Sequence, residues 1–142
     1  MSPAAATILV FDWGLKQIGV AAGNTETRTC QPLPILHAKD GRPDWQQLAK
    51  ILDDWQPKLL LVGEPLNMDG SPGVLHQRAD KFARRLHGRF GLPYKLVDER
   101  LSSYAAKAEL KEQGHRGNYH NKPADSLAAV LIFETWLEQE AR

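Results

Sequence analysis

The sequence predicts an α/β protein in which helices pack on a mixed sheet. Three observations carry this. Two short apolar runs, residues 7–11 (TILVF) and 18–22 (IGVAA), lie too close together for a parallel crossover, so they should pair antiparallel. Two later β-type runs, residues 59–62 and 94–97, each follow a segment with helical spacing of apolar residues. Glycine and proline punctuate the joins.

The elements follow in order. Residues 7–11 form a buried strand that ends at the turn Asp12-Trp13-Gly14. Residues 18–22 form a second strand, completing a hairpin. A third strand is expected between residues 28 and 37, broken by Pro32 and Pro34. Asp44 is placed to N-cap a helix whose apolar face is Trp45, Leu48, Ile51, Leu52 and Trp55. Pro57 ends it, and the apolar strand 59–62 follows. Residues 63–73, rich in Gly, Pro, Asn and Asp, read as a loop. A long helix then carries Leu75, Ala79, Phe82, Ala83, Leu86 and Phe90, and stops at Gly91 and Pro93. The strand 94–97 runs into Asp98-Glu99-Arg100.

Ser102 or Ser103 can cap a helix to about residue 113, and residues 115–122 form a polar, basic loop. Pro123 fits the first position of a mostly buried last helix reaching about residue 139. The order is β-β-β-α-β-α-β-α, with the first three strands antiparallel and the later ones parallel to the first. No repeat or long linker divides the chain, so residues 1–142 are expected to form one domain.

Composition excludes several classes. With 42% hydrophobic residues the chain is too apolar for a disordered tail. The single Cys30 excludes a disulfide scaffold. The apolar run 127–133 is too short to span a bilayer, and residues 1–11 lack the basic segment of a signal peptide. A cytoplasmic setting is the expectation. The net charge of +1 hides an asymmetry. Residues 74–122 hold eleven Lys and Arg against five acids, for +6, and the remainder sums to −5. A basic half suits a polyanion, and equally a solvated helix face.

The acids fall at strand ends. The first strand ends in Asp12, the fourth reaches Glu64 and the fifth ends in Asp98-Glu99. In such sheets, ligands sit beyond the carboxyl ends of parallel strands. Asp125 lies in about the first turn of the last helix and shares a face with Ala128, Ala129, Ile132 and Trp136, which directs it inward if that face packs on the sheet. Acids brought together repel unless a cation separates them, and hard oxygen donors without His/Cys spacing favour Mg²⁺ or Mn²⁺. Singly, each acid has a blander reading: Asp12 as a turn residue, Asp125 as a helix-dipole partner, Glu99 as a partner of Arg100.

Four motifs carry a resemblance. Residues 12–21 (DWGLKQIGVA), 63–70 (GEPLNMDG), 98–103 (DERLSS) and 122–129 (KPADSLAA) resemble, in order and spacing, those of the YqgF family, also called RuvX. That family is a branch of the RNase H-like superfamily related to the RuvC resolvases. The resemblance covers nearly the whole chain. It implies an RNase H-like fold and a bacterial cytoplasmic nuclease of the two-metal-ion type, using Mg²⁺ or Mn²⁺. By analogy Asp12, Glu99 and Asp125 are the catalytic, metal-binding acids. The implied role is maturation of the 5′ end of pre-16S rRNA. The alternatives are a Holliday junction resolvase acting on DNA and a non-catalytic RNA-binding assembly factor.

The partners expected are RNA or structured DNA and the small ribosomal subunit, with no membrane, for a monomer or weak dimer. Arg78, Lys81, Arg85, Arg116 and Lys122 are expected to hold the phosphate backbone. Lys16, Asn67 and Arg100, within the motifs, complete the binding set. Gln17 stands where the family frequently has a basic residue. Glu64 stands where an apolar one is usual, and is either a supplementary ligand or a tolerated loop acid.

Overall fold

The computed structural model describes residues 7–65, 69, 73–98 and 125–140. The helix expected at 102–113 and the loop at 115–122 lie outside the described residues. The strands are β1 (Thr7–Asp12), β2 (Gln17–Asn24), β3 (Thr29–Lys39), β4 (Arg42–Pro43), β5 (Leu59–Glu64) and β6 (Tyr94–Asp98). The helices are α1 (Trp45–Trp55), α2 (Val74–Phe90) and α3 (Asp125–Glu140). Among the described residues the strands form one sheet in the order β4-β3-β2-β1-β5-β6. β1 pairs antiparallel with β2 and parallel with β5, and β5 pairs parallel with β6. The mixed α/β sheet with helices on it is the architecture the sequence predicts.

Strand alternation sorts the core into two layers. Leu9, Phe11, Ile18, Val20, Leu60 and Val62 face α1 and α2. Ile8, Val10, Ala21, Leu61 and Val97 face α3, where they meet Ala129, Ile132 and Phe133. Phe133 packs closely on β2 because Gly23 has no side chain: a Cβ there would stand 2.4 Å from its ring. Asp44 caps α1 as expected, its carboxylate accepting from the Gln46 and Gln47 N–H groups. Gly91 closes α2 in the left-handed conformation.

Three expectations change. β3 is not broken at Pro32 and Pro34 but runs for 11 residues. Among the described residues only its end, at Ala38 and Lys39, has a partner on the outer side, so the missing proline N–H groups cost no ladder bond to a described strand there. Pro34 also lies in a bulge, where Ile18 pairs with Leu36 but Val20 with Leu33. Gly63 and Glu64 continue β5, where a loop was expected, because they pair with Val97 and Asp98. The two-residue β4 adds an outer edge. No helix among the described residues is long and apolar enough to cross a membrane.

Candidate active site

The carboxyl edge of the parallel strands collects Asp12, Glu64 and Asp98, as the strand ends predicted. The sheet then divides them. Alternation puts half-buried Asp12 on the face of Ile8 and Val10, towards α3. Glu64 and Asp98 fall on the other face, with Val62 and Leu96. Glu64 Oε2 lies 2.9 Å from His76 Nε2 on α2, a half-buried pair. This accounts for the acid where the family usually has an apolar residue. It holds Glu64 across the sheet from Asp12, which argues against a shared ion.

Asp125 is the first residue of α3, and its side chain lies outside the described residues. Its backbone is located by its neighbour. Ser126 is fully buried, and its Oγ accepts from Val20 N–H at 3.3 Å and donates to the Leu33 carbonyl at 2.5 Å. The hydroxyl therefore bridges β2 and β3 beside the bulge. Val20 pairs with Phe11, so this bridge sets the start of α3 next to the end of β1, where Asp12 stands. Sequence reasoning missed Ser126. Its spacing to Ala129 and Phe133, three and seven residues on, was the available signal.

Glu99 lies outside the described residues, as do Asn67, Arg100, Arg116 and Lys122. Lys16 is exposed in the turn before β2, and its carbonyl accepts from Ala38 N–H at 2.8 Å. Arg78, Lys81 and Arg85 all lie on α2 and line one cleft with Trp13 and the β3–β4 turn. Arg78 lies 5.8 Å above the Trp13 ring and bonds both the carbonyl and the carboxylate of Asp40. Trp13 donates its indole N–H to the Gly41 carbonyl at 2.9 Å. Among the described residues no three His, Cys, Asp or Glu side chains gather around one point; of the expected triad only the Asp12 side chain is among them.

Solved structures share the fold. The chain superposes on Thermus thermophilus RuvC bound to a Holliday junction with a TM-score of 0.58, at 14% identity, covering 94% of this chain and 96% of that one. The yeast mitochondrial Holliday junction resolvase matches at a TM-score of 0.55 and 13% identity, over 99% of this chain and 81% of that one. Sheet order and these superpositions thus give an RNase H-like α/β fold. The family described as RuvX, Holliday junction resolvase, matches residues 6–139. Relatives named "Putative pre-16S rRNA nuclease" include one from Pseudomonas aeruginosa PAO1, 49% identical over 93% of this chain and 92% of the relative. Another, from Actinobacillus pleuropneumoniae, is 51% identical over 96% of this chain and 99% of the relative. The chain belongs to the RuvX family.

Proposed function

We propose that this chain is a metal-dependent nuclease that hydrolyses phosphodiester bonds during 5′ processing of pre-16S rRNA. The observation that carries the reading is the meeting of the Asp12 strand end with the start of α3, which opens on Asp125. Val97 on β6 faces α3 with Val10, and Glu99 lies two residues beyond it in the sequence. Family membership and the names of the relatives support the same reading.

Asp12, Glu99 and Asp125 would hold Mg²⁺ or Mn²⁺, whose preference for hard oxygen donors fits three carboxylates. Such ions, when bound, would supply positive charge for activating a water and for the leaving oxygen of a phosphodiester, the two-metal-ion arrangement. The protein's own part is positioning. The β1 pairing fixes Asp12, and the Ser126 bridge fixes the first turn of α3. Arg78, Lys81 and Arg85 hold the phosphate backbone, a contact that carries affinity without sequence choice. RNA is the substrate, and a soluble cytoplasmic protein acts on it.

A second reading, cleavage of four-way DNA junctions, is favoured by the family description and by the RuvC likeness. Cleavage of a 5′-extended rRNA precursor and of a four-way junction, side by side with Mg²⁺ or Mn²⁺, separates the two. The wild-type protein should cut the precursor. Asp12→Asn keeps shape but loses ligand charge, and should lose at least about 100-fold in rate with unchanged circular dichroism. Wild-type turnover by Asp12→Asn would remove the assignment, and cutting of the junction alone would install the resolvase.

A further inference from the structure

The cleft between the β3–β4 turn and α2 holds more positive charge than its acid answers. It is open to solvent, and Arg42, Arg78, Lys81 and Arg85 all line it. Among the described residues Asp40 is the one carboxylate on its wall, and Arg78 takes it: the guanidinium stands 3.2 Å from Asp40 Oδ1 and 2.8 Å from the Asp40 carbonyl. The side chains of Arg42, Lys81 and Arg85 are exposed and form no ion pair among the described residues.

The walls are closed to a base. Trp13 is 7% exposed, with its N–H committed to Gly41 and its ring beneath Arg78. Phe82 is buried, and Trp45 is covered by Phe82 and by Arg89, whose guanidinium lies 4.2 Å over its ring. A stacking platform needs a free aromatic face, and none is offered here. Unanswered guanidinium and ammonium groups around a closed apolar floor suit a phosphate, with Arg able to bind two of its oxygens at once.

The cleft also lies where a substrate strand would pass. Trp13 follows Asp12 directly, so one step of backbone puts the acid on the α3 face and the cleft wall on the opposite face. We infer that this cleft is a phosphate-binding subsite, with Arg42 as its unassigned anchor, and that a nucleic-acid strand reaching Asp12 crosses the carboxyl edge of the sheet to fill it. The identity of that strand rests on the nuclease reading. The cleft itself rests on its own charge. The phosphate is either an internal phosphodiester or a free 5′-terminal phosphate.

Fluorescence anisotropy with labelled single-stranded RNA, matched in sequence and carrying either a 5′-hydroxyl or a 5′-phosphate, tests this across a range of salt. Arg42→Ala should weaken binding about tenfold or more, the scale of one charge-assisted contact, and lower the salt slope by about one. Arg42→Lys, which keeps the charge, should recover part of the loss. Lys50→Ala, the same charge change on the exposed side of α1, should bind like wild type. Equal losses for both RNAs place an internal phosphodiester in the cleft. A loss confined to the 5′-phosphorylated RNA places a terminal phosphate there. Wild-type affinity and slope in Arg42→Ala, or an equal loss in Lys50→Ala, would overturn the subsite. The two readings fail separately. If Asp12→Asn is inactive but Arg42→Ala binds normally, the cleft is wrong and the nuclease stands. If Asp12→Asn cleaves normally while Arg42→Ala loses affinity, the cleft stands and the assignment of the acids falls.

Discussion

Ser126 and Cys30 both sit between α3 and the β2–β3 pair, and both give predictions at the scale of a single side chain. Ser126 satisfies one donor and one acceptor of the sheet at once. Ser126→Ala leaves Val20 N–H and the Leu33 carbonyl to find other partners, and should cost about 1–3 kcal/mol in urea unfolding. The same change should speed hydrogen exchange at the Val20 amide and lower cleavage, because the start of α3 loses its anchor. A stability loss without faster exchange at Val20 would show that the bridge does not hold the strands. Cys30 is different in kind. Burial, and then the charge of Glu134, push its thiol from 9.0 up to about 12. The native protein keeps this proton where the unfolded chain releases it. The stability Cys30 contributes is therefore fully present below pH 9 and is lost as pH rises towards 12. An aromatic disulfide reagent at pH 8 should leave the folded protein unmodified and label one thiol per chain in urea.

The β3–β4 turn shows, at the scale of an element, what a sequence can and cannot disclose. Gly41 has a φ of +81°, and a Cβ there would stand 2.3 Å from the Trp13 ring. Gly41→Ala meets both obstacles, so it should destabilise by about 2 kcal/mol or more and weaken RNA binding by opening the cleft. Asp44→Ala, which removes the α1 cap a few residues away, should cost about 1 kcal/mol and leave the cleft in place. Equal losses of RNA binding in the two variants would detach the turn from the cleft. The cap was legible because an acid before an apolar helical repeat has few other uses. The turn was not, since β4 is two residues long and its partners Trp13 and Arg78 lie 28 and 38 residues away in sequence. β3 was misread for a related reason. Proline in a strand is punished only where its N–H would have been needed, and one sequence does not show which edge of a strand is free.

Across the whole molecule the sheet separates Asp12, turned to the α3 face, from the cations of α2 and the turn, which lie on the face that Glu64 and Asp98 share. The strand ends were legible in the sequence because apolar runs that stop at acids mark the carboxyl edge of a parallel sheet. The face each acid takes was not, because a one-residue shift in strand end moves a side chain across the sheet. Glu64 shows this: it belongs to the edge by sequence and to His76 by structure. The separation of Asp12 from these cations matters for function because binding and cutting can then be removed independently. Cells depleted of the protein should accumulate 5′-extended small-subunit rRNA, and the wild-type protein should restore trimming. Asp12→Asn should still bind precursor, more tightly if anything, because it removes a negative charge near the phosphates and leaves the α2 cleft untouched. It should nonetheless fail to trim, as primer extension across the rRNA 5′ end would report. If Asp12→Asn restores trimming as well as wild type at equal expression, the protein assists assembly without cutting. If trimming is normal in depleted cells and junction-dependent DNA repair fails instead, its substrate is the junction.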